Sequence, residues 1–236
     1  MKKLFLAMIM AGSALGASAQ YAQPTTTFGI RGGLNLASVQ VSADGSSTTA
    51  NTGKITNFSA GFFADISMSD GFSIQPGLFY SGKGFKLDGL DSRVDFGNGN
   101  VISSTGEAKT HISYVQVPVN FVFNVPTSAG KFYVGAGPFA SVAIRARVKG
   151  YGEDTYTING QTRTEREDIN QKIEIGSDDG IKRFDYGATG LAGFRFSNGV
   201  SVNATYDLGL ANISGGNSDE GKLKTRTIGF SLGFNF

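Results

Sequence analysis

Apolar and polar residues alternate with a period of two in eight separate segments of this 236-residue chain, at 28–42, 55–67, 71–87, 109–124, 131–147, 183–196, 199–213 and 222–236. A strand sends successive side chains to opposite faces, so strict alternation predicts a strand with one apolar and one polar side. In the last segment Ile228, Phe230, Leu232, Phe234 and Phe236 share one face, and Gly229, Ser231, Gly233 and Asn235 share the other. The fourth opposes Val115, Val117, Val119, Phe121 and Phe123 to Tyr114, Gln116, Pro118 and Asn120. Each segment exceeds the roughly 9–11 tilted residues with which a strand crosses a bilayer. An eight-stranded closed sheet has room inside for one packed set of side chains. The small and polar set fits that space, so the bulky set is expected to face lipid, in an all-β, eight-stranded antiparallel transmembrane barrel.

The connections agree with that layout. Ser69-Asp70-Gly71 and Ser197-Asn198-Gly199 are hairpin turn signals, and 125–130 is also short. The remaining connections, 43–54, 88–108, 148–182 and 214–221, are longer and rich in Gly, Ser, Thr, Asp and Asn. Short turns at one end and long polar loops at the other characterise outer-membrane barrels, with both termini at the periplasmic end. Within 148–182, the run from Tyr156 to Arg163 predicts a hairpin around Asn159-Gly160. Phe28, Phe72, Phe123, Phe132, Phe196 and Phe236 fall on outward faces at the periplasmic end and are expected to form an aromatic girdle.

Residues 1–19 read as a cleaved export signal: Lys2 and Lys3, an apolar run from Leu4 to Leu15, and Ala17-Ser18-Ala19 ahead of Gln20. Residues 20–236 then form one barrel domain. Without Lys2 and Lys3 the 21 basic residues fall to 19, equal to the 19 acidic ones. A neutral mature chain gives no reason to expect a nucleic-acid partner. The chain has no cysteine, so it has neither a disulfide scaffold nor a lipoprotein anchor.

Several motifs resemble those of the PorT-type outer-membrane β-barrel proteins. They are the run from Gly29 to Leu36, Ile74 to Gly84, Tyr114 to Val119, Tyr133 to Pro138, Phe184 to Gly187 and Tyr206 to Leu210, together with the terminal Phe236. The resemblance spans almost all of the mature chain and is weakest in the long connections. It implies the fold and an outer-membrane location. The family usually carries a glutamate where this chain has Gly77, and often another at Gln116. The founding type is linked to protein secretion, but most members have no assigned activity, and fold-level likeness does not transfer a role.

Charges of both signs fall on the expected inner faces. Arg31, Asp65 and Arg195 sit toward the periplasmic end, and Lys83, Arg145, Arg147, Asp185 and Asp207 sit nearer the outside. Arg31 with Asp65, Arg145 with Asp185, and Asp185 with Asp207 lie on neighbouring strands. A buried charge persists only when paired, so the expectation is an ion-pair network that fills a narrow lumen. A gated pore for ions or small solutes is the second class of function. The third is a lipid A-modifying enzyme, because His111, the only histidine, shares an outward face with Ser113. No acid falls on the expected neighbouring strands at that height, and Glu107 and Asp88, in a predicted loop, are the candidates. The acidic residues Glu153, Asp154, Glu165, Glu167, Asp168, Asp178 and Asp179 lack calcium-loop spacing. The leading expectation is a non-enzymatic protein with no cofactor, metal or catalytic residues, acting structurally, through surface contacts, or as an accessory to an envelope assembly. Its surroundings would be outer-membrane lipid and lipopolysaccharide, with the barrel-assembly machinery engaged during insertion and an envelope or extracellular protein met through the loops.

Overall fold

The computed structural model describes residues 25–42, 49–87, 91–176, 180–215 and 221–236. The predicted export signal, and Asp88, Asp178 and Asp179, lie outside these residues. In chain order the strands are β1 (Thr25–Ser42), β2 (Thr49–Asn51), β3 (Ile55–Ser69), β4 (Phe72–Leu87), β5 (Ser92–Gly97), β6 (Asn100–Thr127), β7 (Gly130–Ile158), β8 (Gln161–Lys172), β9 (Phe184–Phe196), β10 (Val200–Gly209) and β11 (Lys222–Asn235).

All eleven belong to one antiparallel sheet. β1 pairs with β3 on one side and β11 on the other. From β3 the pairings pass to β4 and then β6, and from β11 to β10, β9 and β7. β6 also pairs with β7, over the long register from Val101↔Thr157 to Thr127↔Gly130. At the end of the sequence, Phe28 and Phe236 exchange backbone hydrogen bonds at 3.1 and 2.8 Å.

The alternation read from the sequence is the observed burial pattern. In β6 every even residue from Thr110 to Asn124 is buried. The odd residues of β9 from Asp185 to Leu191 are buried, as are Ser201, Asn203 and Asp207 of β10. The polarity is inverted relative to a water-soluble domain. Among the described residues 29 large hydrophobics are exposed while 15 hydrophobics are buried, and the buried set includes Lys83, Asp65, Asp185 and Asp207. An apolar surface this large and continuous marks an interaction with another apolar phase.

Two of the predicted long loops are mostly strand. β5 and the first third of β6 occupy 92–110, and the far part of β7 with β8 occupies 148–172. Side by side, β5, β6, β7 and β8 form a four-stranded sheet beyond the ends of the other strands. The composition that reads as loop is instead that of a solvated sheet, in which Thr155 with Thr164 and Thr157 with Thr162 pair hydroxyls across the strands at 3.2 and 3.1 Å. The predicted hairpin at Asn159-Gly160 is present, with φ of 51° and 78°. A second such turn, Asn98-Gly99 at 55° and 76°, connects β5 to β6. The predicted segment 199–213 stops short, since β10 ends at Gly209 and 210–215 leaves the strand path.

One irregularity redirects two predicted interior residues. Ser113 of β6 pairs with Arg145 and Tyr114 pairs with Ala143, so Ile144 is an extra residue in β7. A bulge of one residue exchanges the two faces of everything beyond it. Ala143 is therefore buried, and so is Ala146, while Ile144 and Arg145 are both exposed. Arg145 and Arg147 do not enter the interior.

The Asn159-Gly160 turn needs a residue free to adopt positive φ, where a β-branched side chain costs about 1–2 kcal/mol. Gly160→Val is expected to open the β7–β8 hairpin to limited proteolysis near residue 160 and leave the midpoint of global unfolding unchanged. Unaltered protease resistance would show that the turn does not depend on this conformation.

Candidate functional site in the buried interior

Along β9 the alternate interior positions run Arg195, Gly193, Leu191, Thr189, Gly187 and Asp185, each about 6.6 Å beyond the last. They pass from a layer of charge, through a small cavity, to a second layer of charge and an apolar cap.

The first layer centres on Asp65 of β3. Its Oδ2 accepts from the Arg195 guanidinium at 2.9 Å and lies 3.8 Å from Lys131 Nζ. Arg31, the sequence neighbour expected to pair with it, instead sets its guanidinium 4.6 Å above the centre of the Phe63 ring. The Tyr133 hydroxyl donates to Asn203. Lys131 belongs to this site and follows from the same parity as Tyr133, but its place beside a hairpin turn gave it the look of an ordinary surface cation.

Arg31 also borders a cavity of about 60 Å³, lined among others by Asn35, Phe79, Gln116, Thr205 and Asp207. At about 10–15 Å³ of such volume per water, this holds a few waters. Phe79 fills much of the neighbouring space. A Cβ on Gly77 would stand 2.5 Å from its ring, and one on Gly61 2.6 Å. The aromatic ring thus occupies the region around the position where PorT-type sequences usually carry a glutamate.

The second layer holds two carboxylates in separate networks. Asp207 Oδ1 accepts from Thr189 Oγ1 at 2.7 Å and its Oδ2 from Gln116 Nε2 at 3.0 Å, while Ser141 Oγ donates to Gln116 Oε1 at 3.3 Å. Asp185 Oδ2 accepts from Lys83 Nζ at 3.1 Å and from Thr225 Oγ1 at 2.9 Å. Lys83 and Asp185 are fully buried, and the ammonium lies 4.3 Å from the Phe139 ring centre and 5.3 Å from that of Tyr114. Lys83, on β4, thus takes the partner that register had suggested for Arg145. Three of the bonds, Lys83 to Asp185, Gln116 to Asp207 and Arg195 to Asp65, link strands that are not neighbours in the pairing path, β4 to β9, β6 to β10 and β9 to β3.

Above the second layer, Val39, Ile112, Tyr114 and Ala146 pack with Ile181 and Ile213. The last two come from the segments between β8 and β9 and between β10 and β11. Those segments are tied together by Lys182 N–H to Ile213 O at 2.9 Å and Gly215 N–H to Gly180 O at 3.0 Å. Sequence alternation does not place this cap: Ile181 lies outside the alternating segments, and Ile213 ends one that the strand itself does not reach.

On the outer surface the predicted aromatic girdle is exposed at the short-turn end, with Phe28, Phe123, Phe132, Phe196 and Phe236 between 43% and 67% accessible. Phe72 is half-buried against Phe123, ring centres 5.3 Å apart, and Phe194 joins the girdle by stacking edge-on with Phe132 and Phe196 at 4.6 and 4.8 Å. His111 and Ser113 share the outward face without bonding each other. His111 Nδ1 lies 3.0 Å from Asn57 Oδ1, and Ser113 Oγ lies 2.7 Å from the Tyr80 hydroxyl. Glu107 bonds Lys109 and Lys86, at 2.6 and 2.5 Å, and these lysines hold its carboxyl below the usual range.

Antiparallel strands with a charged, hydrogen-bonded interior and an apolar outer band define a β-sheet protein built for a lipid surrounding. The sequence matches the family model of the outer membrane protein beta-barrel domain over residues 19–215, and the chain belongs to that family. Among solved structures it is similar to the attachment invasion locus protein Ail of Yersinia pestis, at 12% identity over 91% of this chain and 100% of that one, TM-score 0.34. It is similar to Neisserial surface protein A at 12% over 90% and 99%, TM-score 0.38. For OprG of Pseudomonas aeruginosa the values are 11% over 91% and 98%, TM-score 0.34. No curated protein matches the chain.

Removing one partner of a buried ion pair strands the other charge, at a cost of about 3–5 kcal/mol, whereas replacing both with apolar groups is often neutral. Lys83→Met should lower the unfolding free energy, read by urea titration of the protein folded in detergent micelles, by that amount, and Lys83→Met with Asp185→Leu should recover most of it. A double variant as unstable as the single one would show that the pair is not the source of the loss.

Proposed function

We propose that the chain is a closed, eight-stranded barrel of the outer membrane with a filled, non-conducting interior, acting through its external surface. The observation that carries this reading is the inverted polarity: large hydrophobics outside, and Lys83–Asp185 and Arg195–Asp65 paired inside. The path of pairings supports closure, since it runs β6-β4-β3-β1-β11-β10-β9-β7 and β7 pairs again with β6. Closure also pairs both edges of each of these eight strands, which lipid requires because it offers no hydrogen bonds to backbone groups. The end bearing the β5–β8 sheet faces outward, and the aromatic girdle faces the periplasm.

The interior argues for a plug over a pore. Bonds cross the lumen in two layers, the cavity between them is about 60 Å³, and Ile181 and Ile213 close the outer end. The barrel is non-enzymatic in this reading. The engagement of His111 by Asn57 and of Ser113 by Tyr80 supports that, since a nucleophile and base would have to face each other. The sheet of β5, β6, β7 and β8 supplies the surface for an envelope or extracellular protein partner. PorT-type kinship rests on the motifs named above, of which Tyr114 to Val119, Phe184 to Gly187 and the first four residues of Tyr206 to Leu210 lie in strands bearing the second charged layer. The chain would arrive by an export signal and insert with the help of the barrel-assembly machinery.

The folded protein is expected to run faster on a gel before heating than after, to need detergent for extraction, and to give no steady conductance in planar bilayers. Extraction in the soluble fraction would defeat the membrane reading. A stable conductance from a heat-modifiable preparation would defeat the filled-lumen reading alone.

A further inference from the structure

The bulge at Ile144 gathers cations on the outer surface. Beyond it, the outward row across three adjacent strands reads Lys86, Lys109 and Lys149, in direct register. The row below it reads Gly84, His111, Arg147 and Lys172, and Arg145 stands opposite Ser113 in the row below that. Like charges placed opposite each other on adjacent strands are destabilising. Glu107 bonds both Lys86 and Lys109. Asp168, one row further out, is held by Arg166 at 3.3 Å. Among the described residues Arg145, Arg147, Lys149 and Lys172 have no ion pair, and Arg147 donates to the neutral Asn170 at 3.0 Å.

Immediately below these cations the surface turns apolar. Ile144 is 54% accessible and Phe184 65%, with Val142 and Tyr186 beside them. A ligand meeting both zones carries an anionic head and apolar tails. Two strand spacings give the lysine row a width of about 10 Å, and Arg145 to Lys149 extends about 13 Å along β7. That footprint exceeds one phosphate and suits a headgroup with more than one. Arginine and lysine are the side chains that bind phosphate oxygens by charge-assisted hydrogen bonds.

We propose that Arg145, Arg147 and Lys149, with Lys86, Lys109 and Lys172 around them, form a binding site for the phosphates of a phosphorylated glycolipid of the outer leaflet, whose acyl chains lie along Ile144 and Phe184. The site rests on the outer-membrane reading above and adds a specific lipid contact to it.

The test uses the full mature chain folded in detergent, with heat-modifiable migration checked first so that failure of the membrane reading is seen separately. Binding of lipopolysaccharide is then measured by native mass spectrometry. Arg145→Gln with Arg147→Gln and Lys149→Gln should weaken it at least tenfold. A charge-matched control, Arg93→Gln with Arg163→Gln and Arg166→Gln, should leave it within twofold. Enzymatically dephosphorylated lipopolysaccharide should bind the wild type at least tenfold more weakly, and millimolar inorganic phosphate should not displace the intact lipid. Equal binding of the dephosphorylated lipid, equal loss in the control, or displacement by inorganic phosphate would each overturn the proposal.

Discussion

A strand cannot assign its two faces independently, and in this protein that constraint organises nearly everything else. With a side-chain period of two, a register that puts Asp185, Thr189 and Arg195 on the inside also puts Phe184, Tyr186 and Phe196 on the outside. The interior admits only one set of side chains, so bulk is driven outward and polarity inward on every strand at once. Charge then enters a space where it needs a partner, and the two ion pairs reach across, because no residue in register with Asp65, Lys83, Asp185 or Arg195 carries the opposite charge. Asp65 on β3 finds Arg195 on β9, and Lys83 on β4 finds Asp185 on β9. These contacts brace the sheet across its interior as the backbone bonds brace it around.

The same constraint explains how much could be read in advance. Period-2 alternation located β1, β3, β4, β9, β10, β11 and the parts of β6 and β7 nearest the short turns, but not the 12-residue β8, and the turn signals at Asp70-Gly71 and Asn198-Gly199 set two of the hairpins. The aromatic level was legible because Phe28, Phe123 and Phe236 share both a face and a position along their strands. Phe194 carried the same signal two residues before Phe196. The solvated sheet was harder, since both its faces are polar and alternation vanishes where neither side meets lipid or core. There the informative feature was local, the Asn-Gly dipeptides at 98–99 and 159–160, whose positive φ makes tight hairpins.

The charged interior was legible in composition and much less so in its pairing. Asp65, Lys83, Asp185 and Asp207 are buried, Arg31 and Arg195 are partly so, and Arg145 is exposed. Adjacent strands suggested Arg31 for Asp65 and Arg145 for Asp185, yet partners were chosen across the lumen by side-chain reach and by which aromatic rings offered a face. Arg31 has Phe63 beneath it, and Lys83 lies between Asp185 and Phe139. Parity gives the face of Lys131 but not its reach to Asp65, and the isoleucines of the cap lie beyond the strand ends.

Ile144 accounts for the largest departure. Counting by twos along β7 from Tyr133 leads correctly to Ala143 and then fails, because the bulge inserts one residue and reverses the count. Had the strand continued without it, Arg145 and Arg147 would have entered a space already holding Lys83 and capped by Ala146 and Ile112, with Asp185 as the nearest carboxylate. Two further guanidinium groups there would have left charge buried without a partner, at several kcal/mol each. The bulge places small, apolar Ala146 in the cap instead and sends both arginines outside, next to Lys149. One inserted residue thus turns Ala146 into the apolar cluster and Arg145 onto the outer surface, which is why the cap and the basic surface patch are two consequences of a single change in register.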